Sequence, residues 1–98
     1  MQTYVILRRG AFRDAEHLAE AAARSRRVGD EEMSSDVRWI RSYVLREPGG
    51  AVGTACVYQA SSPEALREHA RRVGMRADEV VPIDATVVIR PDPGEGAA

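Results

Sequence analysis

The sequence predicts a single α+β domain whose elements follow in the order β-α-β-β-α-β. Its 98 residues are enough for one hydrophobic core but not for two. Apolar residues form short runs of extended type in four segments and recur at helical spacing in two others. Glycine, proline and capping residues separate these six segments.

The first strand and the first helix lie near the N-terminus. Residues 4–7 are apolar and partly β-branched, which is typical of a strand with both faces partly covered. From Asp14 the apolar residues follow a helical period, and Asp14 is a favourable N-cap, so a helix is predicted over 14–33. Gly29 disfavours a helix by about 1 kcal/mol relative to alanine, so a kink or an end at that residue is the alternative.

A β-hairpin is predicted in the middle of the chain. Residues 37–46 and 51–60 both have extended patterns. Residues 47–50 between them read Glu-Pro-Gly-Gly, which is turn chemistry because proline presets its φ angle and glycine adopts positive φ.

The last two predicted elements are a helix and an edge strand. Ser62 precedes a proline and is a favourable N-cap, and Gly74 is a favourable C-cap, so a helix is predicted over 63–73. The final strand is predicted over 83–90. It is placed at an edge of the sheet because Pro82 cannot donate a hydrogen bond to a neighbouring strand.

This order of elements closes compactly, with right-handed crossovers, as a ferredoxin-like plait. That fold is a four-stranded antiparallel sheet with two helices on one face. Residues 1–90 form the predicted domain, and the tail over 91–98, which is rich in proline and glycine, is expected to be disordered. The sheet face without helices must be polar, bind a ligand or pair with a second copy.

The register of the hairpin predicts which side chains share that face. If Arg46 pairs with Ala51 across the four-residue turn, every facing pair in the hairpin keeps this offset. The small and aliphatic pairs then lie beneath the helices. The bulkier residues share the open face, namely Trp39, Arg41, Tyr43, Leu45, Val52, Thr54, Cys56 and Tyr58.

Two interpretations of this aromatic face stay open at this point. Tryptophan, tyrosine and arginine are enriched in interface cores, which favours a homodimer contact. The same residues could instead line a ligand pocket, with Arg41 for an anion and Cys56 or a tyrosine hydroxyl as a polar group. The two interpretations are compatible, since a dimer that closes the sheet can leave a cavity at its centre.

Few other residues suggest chemistry. His17 with Glu20 three residues later has a chelating spacing, which is also common on exposed helix surfaces. His69 lies off the apolar stripe of the second helix and is a candidate ligand or general base. Cys56 as a nucleophile would need a neighbouring cation such as Arg41 to lower its pKa.

Composition restricts the class of partner. The chain has 14 basic and 15 acidic residues and a net charge of -1, which argues against a nucleic-acid partner. No apolar run approaches the roughly 20 residues that span a bilayer, so no membrane association is expected. A single cysteine is typical of a reducing, cytoplasmic environment.

Three sequence blocks resemble a known family. Residues 39–44 (Trp-Ile-Arg-Ser-Tyr-Val), 56–58 (Cys-Val-Tyr) and 67–75 (Arg-Glu-His-Ala-Arg-Arg-Val-Gly-Met) resemble small bacterial nickel-binding proteins, formerly a domain of unknown function. The resemblance covers about residues 3–90. It implies a ferredoxin-like domain that pairs into a dimer and, for some members, binding of Ni²⁺.

The same resemblance bears on the metal ligands. His69 and Cys56 match the family pattern, which implies that they are the metal ligands here. The family has a histidine where Arg41 stands and commonly a glutamate where Leu7 stands, so two ligand types are missing. Because a guanidinium repels a cation and the remaining donors are few, the nickel site is expected to be weakened or absent.

Together these features predict a cytoplasmic homodimeric binding protein. Its open sheet face and His69 would line a cavity for a metal ion or a small anionic or aromatic ligand. The alternative is a cofactor-free enzyme of the cyclase, isomerase or monooxygenase type, with His69 as general base and Arg41 stabilising an enolate. A third possibility is a structural or regulatory module whose aromatic face is filled by its second subunit.

Overall fold

The structure, a computed structural model, describes residues 1–77 and 79–93 and has the predicted α+β ferredoxin-like fold. Its antiparallel sheet has the strand order β2-β3-β1-β4. The strands are β1 (Gln2–Phe12), β2 (Val37–Arg46), β3 (Val52–Ala60) and β4 (Glu79–Pro82). The α-helices are α1 (Ala15–Arg27) and α2 (Pro63–Val73), with a π-helical turn at Val28–Glu32 and a 3₁₀ turn at Pro48–Gly50.

Local capping explains where the two α-helices begin and end. Asp14 accepts a hydrogen bond from the backbone N–H of His17 at 2.8 Å, which satisfies a free donor of the first turn. Ser62 caps α2 in the same way through Ala65 at 3.1 Å. Gly74 ends α2 with a φ of 83°, a left-handed conformation that glycine adopts without strain. These predicted caps are confirmed.

The helix predicted over 14–33 is α-helical only as far as Arg27. Residues Val28–Glu32 form the π-helical turn, which contains Gly29. A Cβ atom at Gly29 would lie 3.6 Å from His69 Nε2, so this turn lies close against α2. The predicted interruption of the helix is therefore found at the segment that contains Gly29.

The predicted hairpin register is wrong by one residue in six of the nine residue pairs of the hairpin. Arg46 pairs with Val52 rather than with Ala51, because the 3₁₀ turn and two positive-φ glycines make the connection one residue longer. The shifted pairing continues to Arg41, and a β-bulge at Ile40 then restores the predicted offset, so Trp39 pairs with Tyr58.

The bulge divides the predicted aromatic face between the two sides of the sheet. We call the side beneath the helices the covered face, which holds the chemistry-bearing residues Arg8, Trp39, Thr54, Cys56 and Tyr58. We call the opposite side the open face, which holds Leu7, Arg41, Tyr43, Val57 and Gln59. The predicted placement of Trp39, Thr54, Cys56 and Tyr58 on the helix-free side is therefore wrong.

The predicted final strand over 83–90 is also wrong. The fourth strand lies earlier, over Glu79–Pro82, and pairs at the sheet edge with β1. Beyond Pro82, the Ile83 N–H still donates to the carbonyl oxygen of Thr3 in β1 at 2.8 Å. The β-branched residues that follow line grooves on the open face instead of pairing as a strand.

The strand β1 is longer than predicted, and the C-terminal tail falls partly outside the description. β1 extends over eleven residues rather than residues 4–7, with a register irregularity between Arg8 and Phe12.

Of the tail predicted to be disordered, residues 94–98 lie outside the described residues, so its disorder stays a prediction. Within residues 1–77 and 79–93, no helix is long and apolar enough to cross a membrane.

Candidate ligand-binding site

A cavity of about 180 Å³ lies between α1 and the covered face of the sheet. Its walls are mainly apolar, with aromatic rings from β1, β2 and β3. The indole ring of Trp39 stacks on Tyr58 at a centroid distance of 6.1 Å and is fixed by a 2.8 Å hydrogen bond from Nε1 to Ser42 Oγ. The lining residues are Arg8, Phe12, Leu18, Ala22, Ser25, Trp39, Ser42, Val44, Thr54, Cys56, Tyr58 and Met75.

Arg8 gives this cavity a positive charge. The residue is only 1% exposed, although arginine is rarely buried without a partner. Its Nε donates to the carbonyl oxygen of Arg76 at 2.6 Å. Its terminal nitrogens Nη1 and Nη2 are buried and have no hydrogen-bond partner among the described residues. A buried charge without a counterion is costly, so this guanidinium is suited to receive an anion.

Hydroxyl groups surround the positive charge. Tyr58 Oη and Ser25 Oγ lie 3.2 Å apart in the interior. Burial raises the pKa of Tyr58, whereas the hydrogen bond with Ser25 and the charge of Arg8 oppose that rise, so the phenol stays protonated at neutral pH. Thr54 Oγ1 is buried and is unpaired within the described part of the chain. The cavity therefore contains hydroxyl donors beside the cation.

His69 lies behind the cavity rather than in its wall. Its ring packs edge-on against Tyr58 at 5.6 Å, and its Nε2 donates to the carbonyl oxygen of Ser25 at 3.0 Å. Since a carbonyl only accepts, Nε2 carries the hydrogen and Nδ1 is the buried nitrogen without a partner in the described structure. Burial lowers the pKa of His69, and the charges of Arg8 and Arg72 lower it further. The imidazole is therefore neutral at physiological pH.

Arg41 and Tyr43, which the sequence placed with the others, lie on the opposite side of the sheet. Arg41 Nη1 lies 2.6 Å from Asp92 Oδ2, and the Tyr43 hydroxyl donates to the same oxygen at 2.8 Å. The hydrogen bonds with Tyr43 and Asp92 and the charge of Asp92 raise the pKa of Arg41. Because the sheet separates Arg41 from His69, the two cannot act on one substrate as the enzyme hypothesis requires.

The donor set does not fit a nickel ion. Among residues 1–77 and 79–93, no three histidine, cysteine or carboxylate side chains are grouped as a metal site. On the covered face, Cys56 and His69 supply at most two donors, and the charge of Arg8 acts in the same region. On the open face, Leu7 offers no donor and Arg41 is a cation.

His17 and Glu20, the pair with a chelating spacing in the sequence, each interact with a different neighbouring residue. His17 Nδ1 accepts a hydrogen bond from the backbone N–H of Arg13 at 3.0 Å. Glu20 instead pairs with Arg24 at 3.0 Å along α1. Each side chain therefore has a structural partner of its own.

Sequence analysis missed Arg8, although a signal for it was present. Tyr4 and Ile6 are buried, and Arg8 follows them with the period of two that puts alternate residues on one face of a strand. Extending the predicted strand beyond Leu7 would have placed an arginine in the interior.

Comparisons with known proteins connect this fold to one family. A family model described as nickel responsive protein SCO4226-like matches residues 4–83. Among solved structures, the chain is similar to the crystal structure of SCO4226 from Streptomyces coelicolor A3(2), with 20% sequence identity and a TM-score of 0.67. The match covers 87% of this chain and 99% of that one, and it supports the fold. No curated protein matches the chain.

Proposed function

Since this chain belongs to the family of SCO4226-like nickel-responsive proteins, we propose that it is a binding protein whose ligand occupies the cavity beneath α1. The observation that carries the proposal is an apolar cavity of about 180 Å³ with Arg8 among its lining residues, a buried arginine whose terminal nitrogens have no hydrogen-bond partner among the described residues. Ligand pockets commonly combine apolar walls with a few polar groups that orient the ligand. Trp39, Cys56 and Tyr58 remain proposed ligand-contacting residues.

The proposed ligand is a small organic molecule rather than a nickel ion. The family name refers to nickel responsiveness, but two donors beside a permanent cation are a poor site for Ni²⁺. Metal binding by His69 and Cys56 is therefore the competing hypothesis, which nickel titration separates from the proposal.

The test uses Trp39, the only tryptophan of the chain, as an internal fluorescent reporter of the cavity. Benzyl alcohol is a suitable neutral probe because an apolar cavity of about 150 Å³ can hold one benzene ring. We expect the probe to change Trp39 fluorescence saturably and to raise Tm, whereas nickel chloride does neither.

Two substitutions in α1, one facing the cavity and one exposed, test whether the probe binds in the cavity. Ala22→Phe fills the cavity and should abolish the response to benzyl alcohol, whereas Ala23→Phe on the exposed side of the same helix should keep it. Equal binding in both variants, or no saturable response in the wild-type protein, would contradict the proposal. A saturable response to nickel that depends on His69 and Cys56 would support the metal hypothesis instead.

We also propose that the chain forms a homodimer through its open face. This proposal is supported by large apolar side chains that are exposed, including Ile40 and Tyr43 at 45% each and Ile89 at 78%. Sedimentation velocity across the micromolar range should show a concentration-dependent dimer that Ile40→Asp weakens. A monomer at every concentration would contradict it. The cytoplasmic location stays a proposal that rests on the single, buried Cys56.

A further inference from the structure

We propose that the ligand of this cavity is a small apolar molecule with a single carboxylate, which the guanidinium of Arg8 binds. The inference rests on the proposed function and specifies the chemical class of its ligand. It predicts one anionic end next to Arg8 and an apolar body against the aromatic walls.

The first step concerns charge. Arg8 is permanently protonated, and its two terminal nitrogens have no partner among the described residues. Among the described residues that line the cavity, none is an aspartate or a glutamate. Within residues 1–77 and 79–93 this buried cation therefore has no acidic neighbour in the cavity wall, and an anionic ligand would remove the desolvation penalty.

The second step concerns geometry. The bond from Nε to the carbonyl of Arg76 fixes the guanidinium, the Tyr58 hydroxyl lies beside it, and no carbonyl or carboxylate of the described residues accepts from Nη1 or Nη2. Two parallel N–H groups match the two oxygens of a carboxylate, which is the strong bidentate arrangement of arginine. The unpaired hydroxyl of Thr54 lines the same cavity and supplies a further donor for the carboxylate.

The third step concerns size and polarity. The cavity can hold about one six-membered ring or a short branched chain in addition to the carboxylate. Phe12, Leu18, Trp39 and Met75 form walls that would leave the extra oxygens of a phosphate unpaired. A divalent cation would be repelled by the positive charge of Arg8. A monocarboxylate with an apolar body carries the opposite charge to Arg8 and also fits the apolar walls.

The experiment compares three probes of defined chemistry by calorimetry and Trp39 fluorescence. Benzoate has the carboxylate, benzyl alcohol has the same ring without the charge, and inorganic phosphate has charge without an apolar body. We expect benzoate to bind roughly tenfold or more tightly than benzyl alcohol, as a desolvated charge-assisted pair implies. Phosphate should not bind measurably.

Variants locate the carboxylate. Arg8→Met should abolish the preference for benzoate over benzyl alcohol, and Arg8→Lys, which lacks the planar fork, should reduce it. Thr54→Val should weaken benzoate severalfold more than it weakens benzyl alcohol. Arg38→Met is the matched control, since it removes an exposed arginine of β2 and should change neither affinity.

The outcomes separate this inference from the proposed function. If benzyl alcohol binds and benzoate binds no more tightly, the ligand class is wrong while cavity binding stands. If neither probe binds, both proposals fail. If Arg8→Met does not fold, Thr54→Val and Arg8→Lys decide, because unchanged benzoate affinity in both would overturn the role of Arg8.

Discussion

The two faces of the sheet provide opposite environments for Arg41 and Arg8. On the open face, the Arg41 side chain is 53% exposed and has an acidic partner in Asp92 at 2.6 Å. On the covered face, Arg8 is 1% exposed and its terminal nitrogens have no partner in the described structure. An exposed charge needs no partner because water solvates it, whereas a buried charge does. The unbalanced charge is therefore on the covered face, which is why the proposed ligand site is assigned to that face.

The largest expected difference between the two faces is in how much the free energy of unfolding falls when a large apolar side chain is truncated. Leu66 of α2 is fully buried against the covered face, and Leu66→Ala should lower the free energy of unfolding by about 2–5 kcal/mol because it leaves a cavity. Ile89→Ala on the exposed segment should change it by less than about 0.5 kcal/mol at concentrations where the chain is monomeric. Urea denaturation measures both. Similar losses would contradict the distinction between the faces.

Gly53→Ala tests a tightly packed corner near the hairpin turn. A Cβ there would lie 2.8 Å from both the backbone oxygen of Arg8 and Glu47 Oε2, so the substitution should destabilise the fold by about 1–3 kcal/mol. The Glu47 carboxylate cannot easily move, because it accepts hydrogen bonds from Arg9 and from the backbone of Gly10. Thermal and urea unfolding measure the loss.

The matched control is Gly29→Ala. A Cβ at Gly29 makes only ordinary contact with His69 at 3.6 Å, so the substitution should be neutral or slightly stabilising. Equal destabilisation by the two substitutions would contradict the assignment of the loss at Gly53 to its close contact.

A smaller effect is expected from the pH dependence of the covered face. Burial lowers the pKa of His69 in the folded chain below its ordinary value near 6.5. The unfolded chain therefore binds the proton first as pH falls, so stability is full above about pH 6.5 and declines as pH falls toward the folded pKa. His69→Gln, which keeps a donor for Ser25, should flatten this decline between about pH 7 and 5.

The control for the pH experiment is His17→Gln, which changes the other, partly exposed histidine. Chemical denaturation at several pH values should show the wild-type slope in this variant. An unchanged slope in His69→Gln would mean that His69 does not cause the acid sensitivity.

The smallest expected effect concerns Asp92. Asp92→Asn weakens the contacts with Arg41 and Tyr43 on the open face, both of which are solvent-exposed. Global stability should not change measurably, while amide hydrogen exchange in residues 83–91 should become faster. A large drop in Tm would show that this segment contributes more to the fold than its exposure implies.

The sequence predicted the parts of this molecule that depend on local chemistry. The caps at Asp14, Ser62 and Gly74 were correct because each is determined by hydrogen bonds within one turn. The order of strands and helices followed from periodicity. The fold class therefore needed no tertiary information.

The errors depend on relations between distant residues. The bulge at Ile40 has no clear signal in the local sequence. The sequence therefore could not show that Arg41 and Tyr43 lie on the opposite side of the sheet from Trp39. The β-branched residues near 83–90 have strand propensity but do not pair with another strand of the described sheet. The cavity was not predicted because Arg8, which lines it, lies outside the strand predicted over residues 4–7.

The bulge at Ile40 also has a consequence for how this hairpin can change over evolutionary time. Removing that one residue while Trp39 stays opposite Tyr58 would turn residues 41–46 over, exchanging solvent-facing and interior positions along the rest of the strand. Substitutions within this segment are therefore far better tolerated than a change in its length. Related chains that keep the indole inside should preserve the count of residues between it and the turn, whatever those residues are.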